Sequence, residues 1–169
     1  MTNIAIIGAT GNVGRKTLEV IEKKDIKFDN LFLVASSNSA GKKISFKGKD
    51  YEVHDLEKYD FSNANITFFA AGGKIAEQYA ESAAKLTTVI DNSSFFRMDP
   101  DVPLIVPQVN SDALNNIKKN IIANPNCSTA QLVIALKPLH DLFVIKRIVV
   151  STYQSVSGAG KASMDELIK

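Results

Sequence analysis

The run Asn3–Ile7, followed at once by Gly8-Ala9-Thr10-Gly11-Asn12-Val13-Gly14, leaves few folds open to this chain. Asn3–Ile7 reads as a β-branched strand, and Arg15 to Lys24 reads as a helix with Leu18, Ile21 and Val20 on its apolar side. A strand, a glycine-rich turn and a helix in that order make a dinucleotide-binding opening. Gly8 permits the tight turn, Gly11 lets the backbone approach a pyrophosphate, and Gly14 lets the helix pack closely on the strand. The phosphates would rest on the helix N-terminus, where backbone N–H groups are unpaired. The spacing is GxxGxxG rather than the commoner GxGxxG, so its weight comes from its place at the first strand. The competing reading is a glycine turn with no ligand.

The rest of the chain repeats the alternation. Leu31–Ala35, Ile66–Ala71, Thr87–Ile90, Leu104–Val106 and Ile121–Ala123 read as short strands, and Ile44 to Val53 as a hairpin around Gly48. Helices are expected over Ile75 to Lys85, Ser111 to Lys119 and Ala130 to Leu136, the last ended by Pro138. Ile145–Tyr153 reads as a further β-branched strand, then come a glycine loop at 155–160 and a helix from Ala162 to Ile168. This pattern predicts an α/β fold with a doubly wound, mostly parallel Rossmann-type sheet.

The end of the second strand bears on the cofactor. An Asp or Glu there would bond the ribose 2′-hydroxyl of NAD, and none is present. The strand runs instead into Ser36-Ser37-Asn38-Ser39-Ala40-Gly41-Lys42-Lys43, whose hydroxyls and two ammonium groups suit the 2′-phosphate of NADP. A solvated turn is the plainer reading of the same composition. Gly72-Gly73 again places glycines at the carboxyl end of a strand, where open α/β sheets bind ligands.

Chemistry concentrates at Asn124-Pro125-Asn126-Cys127-Ser128-Thr129. The Asn-Pro-Asn turn stops one strand, and an apolar helix follows. Cys127, the only cysteine, therefore sits at a helix N-terminus. That setting favours a thiolate nucleophile and offers N–H groups to an oxyanion. The alternative is a buried thiol filling a gap in the core.

Composition excludes several other functions. A formal charge of +2 with scattered Lys and Arg argues against a nucleic-acid partner, and no apolar run is long enough to span a membrane. Ile4–Ile7 lacks a basic leader and is not read as a secretory signal. One cysteine permits no internal disulfide, so a reducing cytoplasm is the expected setting. His54 and His140 have no partner at metal-ligand spacing, and both read as surface or packing residues.

Five blocks in order carry a family resemblance: GATGNVG at 8–14, SSNSAGK at 36–42, DNSSFFRMDPDVPLIVPQVN at 91–110, NPNCST at 124–129 and STYQSVSGAG at 151–160. Together they make the chain resemble the N-terminal half of aspartate-β-semialdehyde dehydrogenases. The resemblance implies an NADP-binding domain over 1–125 and the start of an α+β catalytic and dimerisation domain over 126–169. It implies NADPH-dependent reduction of β-aspartyl phosphate to aspartate semialdehyde and phosphate, on the route to lysine, methionine and threonine. By position, Cys127 matches the nucleophile that forms a thioester, and Gln154 the glutamine that orients the acyl group. Arg97 matches the phosphate-binding arginine, and Asn126 a residue of the same pocket. Gly8, Thr10, Gly11, Asn12, Val13, Ser36, Asn38, Ser39, Gly72, Ser157 and Gly158 match cofactor contacts. Asn38 departs from relatives that carry Arg there. The family is roughly twice this long and forms homodimers or homotetramers. Its acid–base histidine, a second phosphate-binding lysine and a substrate-binding arginine lie outside the matched half. Neither His54 nor His140 inherits the histidine's role, so this chain alone is expected to be inactive and to expose apolar surface. N-acetyl-γ-glutamyl-phosphate reductases share the chemistry, but their cysteine follows Gly and precedes Tyr, where this chain has Asn126 and Ser128. A non-catalytic NADP-binding module is the alternative of another class.

Overall fold

The computed structural model describes residues 2–169 and contains a seven-stranded sheet in the order β3-β4-β2-β1-β5-β6-β7. The strands are β1 (Asn3–Ile7), β2 (Asn30–Ala35), β3 (Lys43–Phe46), β4 (Lys49–Asp55), β5 (Ile66–Phe69), β6 (Thr88–Asp91) and β7 (Ile121–Ala123). The β3–β4 hairpin is antiparallel, and every other neighbouring pair is parallel. The helices are α1 (Asn12–Lys23), α2 (Gly73–Ala84), the single turn α3 (Pro107–Asn110), α4 (Cys127–Phe143) and α5 (Lys161–Ile168). The doubly wound, mostly parallel sheet expected from the alternation is present.

Period-two side-chain direction divides the core between the two faces of the sheet. Ile4 and Ile6 of β1 with Leu31 and Leu33 of β2 pack under α1, where Leu18 and Ile21 are buried. Ile7, Val34, Phe69 and Val89 point the other way, onto Ala76, Ala80 and Ala83 of α2. A row of alanines lets α2 approach the sheet closely. Val20 does not join the α1 core; it is exposed at the helix edge.

β1 lies between β2 and β5, so the chain order reverses there. The β1–α1 and β5–α2 turns diverge at the carboxyl ends of adjacent strands, the point where such sheets bind ligands. Asn120 sets the register at the far edge. In a left-handed conformation (φ 54°), it donates to the Ala84 and Thr87 carbonyls, both at 2.9 Å, and accepts from Thr88 Oγ1 at 2.9 Å.

Four expectations are corrected. Pro138 lies inside α4 rather than ending it. Proline removes one N–H from the ladder and crowds the Ile134 carbonyl, yet α4 continues through it to Phe143, with the Lys137–Asp141 ion pair at 2.6 Å spanning the turn. Leu104–Val106 makes only an isolated bridge, Leu104 with Ala123, between Pro103 and Pro107. Ser111 to Lys119 is not an α-helix. Pro107 starts a single turn, Asn110 folds back onto the Val106 N–H and the Leu104 carbonyl, and a 3-10 stretch Ser111–Asn116 follows.

Ile145–Tyr153 forms no strand and pairs with none among the described residues, because β-branched residues make a strand only where a ladder partner exists. It leaves Val149 78% exposed, and at the end of α4 Phe143 is 75% exposed. Exposed apolar surface was expected for this half. Among the described residues, no helix is long and apolar enough to cross a membrane.

Asp99 is one of several carboxylates held low, beside Glu19, Asp25 and Asp60, and its share of the pH response can be isolated. Asp99 accepts from Lys119 Nζ and the Asp101 N–H, both at 2.9 Å, which holds its carboxyl below the usual range. A depressed carboxylate contributes stability above its unfolded pKa and loses it as pH falls through the folded value. In urea titrations the stability gap between parent and Asp99→Asn should be constant above about pH 5 and close below it. A Cβ at Gly14 would stand 2.3 Å from the Gly8 carbonyl oxygen. Gly14→Ala should therefore cost about 3 kcal/mol in the same measurement, the upper end of overpacking penalties.

Candidate active site

The site grows from the carboxyl ends of the strands. Gly8 turns at φ +83° with its backbone against Ala70, where a Cβ would come within 2.8 Å of the Ala70 oxygen. Its N–H donates to the Val34 carbonyl at 2.8 Å, which ties the turn to both neighbouring strands. Gly11 precedes α1 as its N-cap and offers no capping side chain. The first-turn N–H groups of α1 are therefore free of a side-chain cap, the arrangement that receives a phosphate. Thr10, Asn12 and Val13 complete this turn, with Val13 exposed and Arg15 Nε donating to the Thr10 carbonyl at 3.3 Å. α2 opens the same way, with Gly72 as an N-cap that has no side-chain bond.

Ala35 ends β2 buried, with no acid at that position. Ser36 then caps the 3-10 turn Ser37–Ser39, and Ser36 and Asn38 are exposed beside the exposed Lys42 and Lys43. At the other end of the chain, Ser155 and Ser157 share a hydroxyl bond of 2.8 Å, just before Gly158. The helix after them returns to the first turn: Asn12 Nδ2 donates to Met164 Sδ at 3.6 Å. Asn12 and Met164, far apart in sequence, thus meet.

The second half of the site lies at the ends of β6 and β7. Asn126 is the N-cap of α4, and its Oδ1 accepts from the Ser128 N–H at 3.0 Å and the Ser128 hydroxyl at 2.7 Å. Cys127 is the first helical residue and is exposed, with its Sγ 3.8 Å from Asn126 Oδ1. The core-thiol alternative is thereby set aside. Arg97 is half-buried, its Nε donating to the Asn124 carbonyl at 3.0 Å and its Nη2 to the Asn92 carbonyl at 3.3 Å. Asp91, fully buried beneath, accepts from the Ser93 N–H at 2.9 Å and the Ser93 hydroxyl at 2.7 Å, and so shapes the turn that carries Arg97. Gln154 stands exposed in the unpaired segment, and no hydrogen bond among the described residues ties it to Cys127 or Arg97.

A groove of about 350 Å³ lies along α1 and the ends of β5 and β6, lined by Val13, Lys16, Phe68, Ala70, Asn92 and Asn124 among others. Asn92, Asn124 and Asp91 were not singled out from the sequence. Their signal was present, since Asp91-Asn92-Ser93-Ser94 and Asn124-Pro125-Asn126 both put Asx residues at strand ends. His54 packs against the rings of Phe32 and Tyr59, away from this cluster. Among the described residues, no group of three or more His, Cys, Asp and Glu is placed to hold a metal ion.

Comparisons with known proteins follow this geometry. The NAD-binding domain of semialdehyde dehydrogenases matches residues 3–117, and their dimerisation domain matches residues 136–169. Aspartate-semialdehyde dehydrogenase 2 of Vibrio cholerae is 52% identical over 167 residues, which cover 98% of this chain and 50% of that protein. A crystal structure of aspartate semialdehyde dehydrogenase II from Vibrio cholerae, complexed with ASA, superposes with a TM-score of 0.95 at 50% identity. That match covers 99% of this chain and 51% of the other. A Candida albicans aspartate semialdehyde dehydrogenase solved with NADP superposes with a TM-score of 0.64 at 30% identity, covering 86% of this chain and 48% of the other. The chain spans about half the length of the curated relatives it matches.

The cap makes a local prediction. Asn126→Ala should cost about 1 kcal/mol of stability, and Asn126→Ser should recover most of it, read by circular dichroism melts.

Proposed function

Because the chain belongs to the semialdehyde dehydrogenase family, we propose that it is the dinucleotide-binding and nucleophile-bearing half of an NADP-dependent aspartate-semialdehyde dehydrogenase. The observation that supports this most is the grouping of an exposed Cys127 at a helix start with a half-buried, backbone-anchored Arg97 across a single strand junction. Cys127 Sγ attacks the acyl carbon of β-aspartyl phosphate; the C–O bond to phosphate breaks and a thioester forms. Arg97 holds the departing phosphate, for which a planar fork of N–H donors is suited. The carbonyl oxygen gains negative charge during the attack, and N–H groups in the first turn of α4 are the nearest donors to receive it. Asn126 holds that turn in place, and Gln154 is assigned to orient the acyl group.

The turn Gly8–Val13 with Gly72 would hold the pyrophosphate, and Ser157 and Gly158 would border the dinucleotide. Ser36, Asn38 and Ser39, with Lys42 and Lys43, would receive the 2′-phosphate. Close backbone approach at Gly8 and the uncapped start of α1 fit that group. When bound, NADPH supplies the hydride that takes the thioester to the aldehyde and frees the thiolate. The absence of an acid at the end of β2 supports NADP over NAD. The division into a nucleotide domain over 1–125 and a catalytic and dimerisation domain from 126 is supported by the separate matches to 3–117 and 136–169. Homodimer or homotetramer assembly, a cytoplasmic setting, and a place in lysine, methionine and threonine synthesis belong to the same reading.

The test is NADP reduction followed at 340 nm with aspartate semialdehyde and phosphate, on the protein extended to the length of its relatives. Phosphate-dependent turnover is expected. Cys127→Ala should abolish it, and Arg97→Lys should raise the phosphate KM about tenfold or more, because an ammonium cannot reproduce the fork. Turnover only with N-acetylglutamate semialdehyde would overturn the substrate assignment.

A further inference from the structure

We propose that Asn92 and Asn124 form a positioning clasp that fixes the Arg97 guanidinium relative to Cys127. The proposal rests on the reading of Arg97 as the phosphate-holding group and deepens it by assigning two residues that set its geometry. Asn124 Nδ2 donates to Asn92 Oδ1, so the two side chains join across the carboxyl ends of β6 and β7. The backbone carbonyls of the same two residues hold Arg97, through Nε at 3.0 Å and Nη2 at 3.3 Å. Their own N–H groups are spent on the sheet, Asn92 to the Phe69 carbonyl at 3.0 Å and Asn124 to the Asp91 carbonyl at 2.8 Å. The side-chain bond is thus the one link in this ring that a substitution can remove while the main chain stays as it is.

The chain runs on from the clasp to the nucleophile. Asn124 is followed by the buried Pro125, whose ring fixes φ, then by the cap Asn126 and by Cys127. A change at the Asn92–Asn124 bond therefore shifts the Arg97 seat, while the fixed φ of Pro125 and the Asn126 cap keep the start of α4 in place. Both asparagines are half-buried and line the groove that Val13 enters. A solvated Asx turn would need none of this. A two-pronged guanidinium tolerates little misorientation against phosphate, and a donor held in advance loses nothing to reorganisation. Asn92 and Asn124 are positioning residues, since no contact with substrate is assigned to them.

The experiment compares parent, Asn92→Ala, Asn124→Ala and the double variant in the full-length protein. Each single change should raise the phosphate KM about tenfold with kcat within about threefold, and the double should be no worse than either single, because both remove one shared bond. KM for NADP and the rate of Cys127 alkylation by iodoacetamide should stay within about twofold, as a general loosening of the fold would not allow. Hydrogen exchange of the Arg97 Nε–H, followed by NMR on ¹⁵N-arginine-labelled protein, should quicken about tenfold in all three variants. Multiplying effects in the double variant, or Arg97 exchange equal to the parent's, would overturn the clasp. Should Asn124→Ala not fold, Asn92→Ala removes the same bond from the other side and carries the test. A parent without phosphate-dependent turnover would sink the proposed reaction, while the Arg97 exchange rates would still decide the clasp.

Discussion

Backbone contact at the first turn is the constraint on which the rest of this structure depends. The Gly8 carbonyl lies where any Cβ on Gly14 would have to be, and Gly8 itself presses on Ala70. Three backbones therefore meet without side chains between them: the end of β1, the start of α1 and the end of β5. That contact sets the angle at which α1 crosses the sheet, and so the place to which its N-terminus points. It also brings the β1 and β5 turns together at the reversal of strand order. A pocket for a dinucleotide at this place follows from packing geometry before any ligand contact is considered.

The second half of the site uses a different device. Cys127 and Arg97 are not neighbours in the chain, and no salt bridge among the described residues orients the arginine. Backbone carbonyls at the ends of β6 and β7 do so instead, and a carbonyl at a strand end is fixed by the sheet. Neutral acceptors hold the guanidinium without cancelling its charge, so the cation remains available to an anion. The fully buried Asp91 serves the same turn through Ser93 rather than through Arg97, which leaves the guanidinium without a carboxylate partner there. Placing the charge and the thiol on adjacent strand ends lets a short path, Asn124 to Cys127, set their separation.

Strands β1, β2, β4 and β7, helices α1 and α2, and the hairpin around Gly48 could be read from the sequence because each carries its own periodicity or turn chemistry. The misreadings share one cause. Pro138, Leu104–Val106, Ser111 to Lys119 and Ile145–Tyr153 were judged on intrinsic propensity, and in each the side-chain or strand partners actually available decided. The helix runs through Pro138 to Phe143, with Lys137 and Asp141 paired across it. Asn110 captures the Val106 N–H and so starts its turn early. The apolar run after α4 lacks a ladder partner among the described residues.

The sequence by itself determined the residue types that chemistry requires: a thiol after a turn and before a helix, a glycine-spaced first turn, an arginine in an Asx-rich loop, and no acid at the end of the second strand. These follow from local rules, because a helix start, a tight turn and a strand end are each specified by a few adjacent residues. Only the tertiary structure decided which of those residues meet. Arg97 is held by residues 5 and 27 positions away in the chain, and Asn12 reaches Met164 across 152. No local rule carries such pairings, since they exist only once strand order and register bring the carboxyl ends of β6 and β7 side by side. The Asn92–Asn124 bond is the plainest case: two ordinary turn residues in the sequence, and one joined structure in the fold.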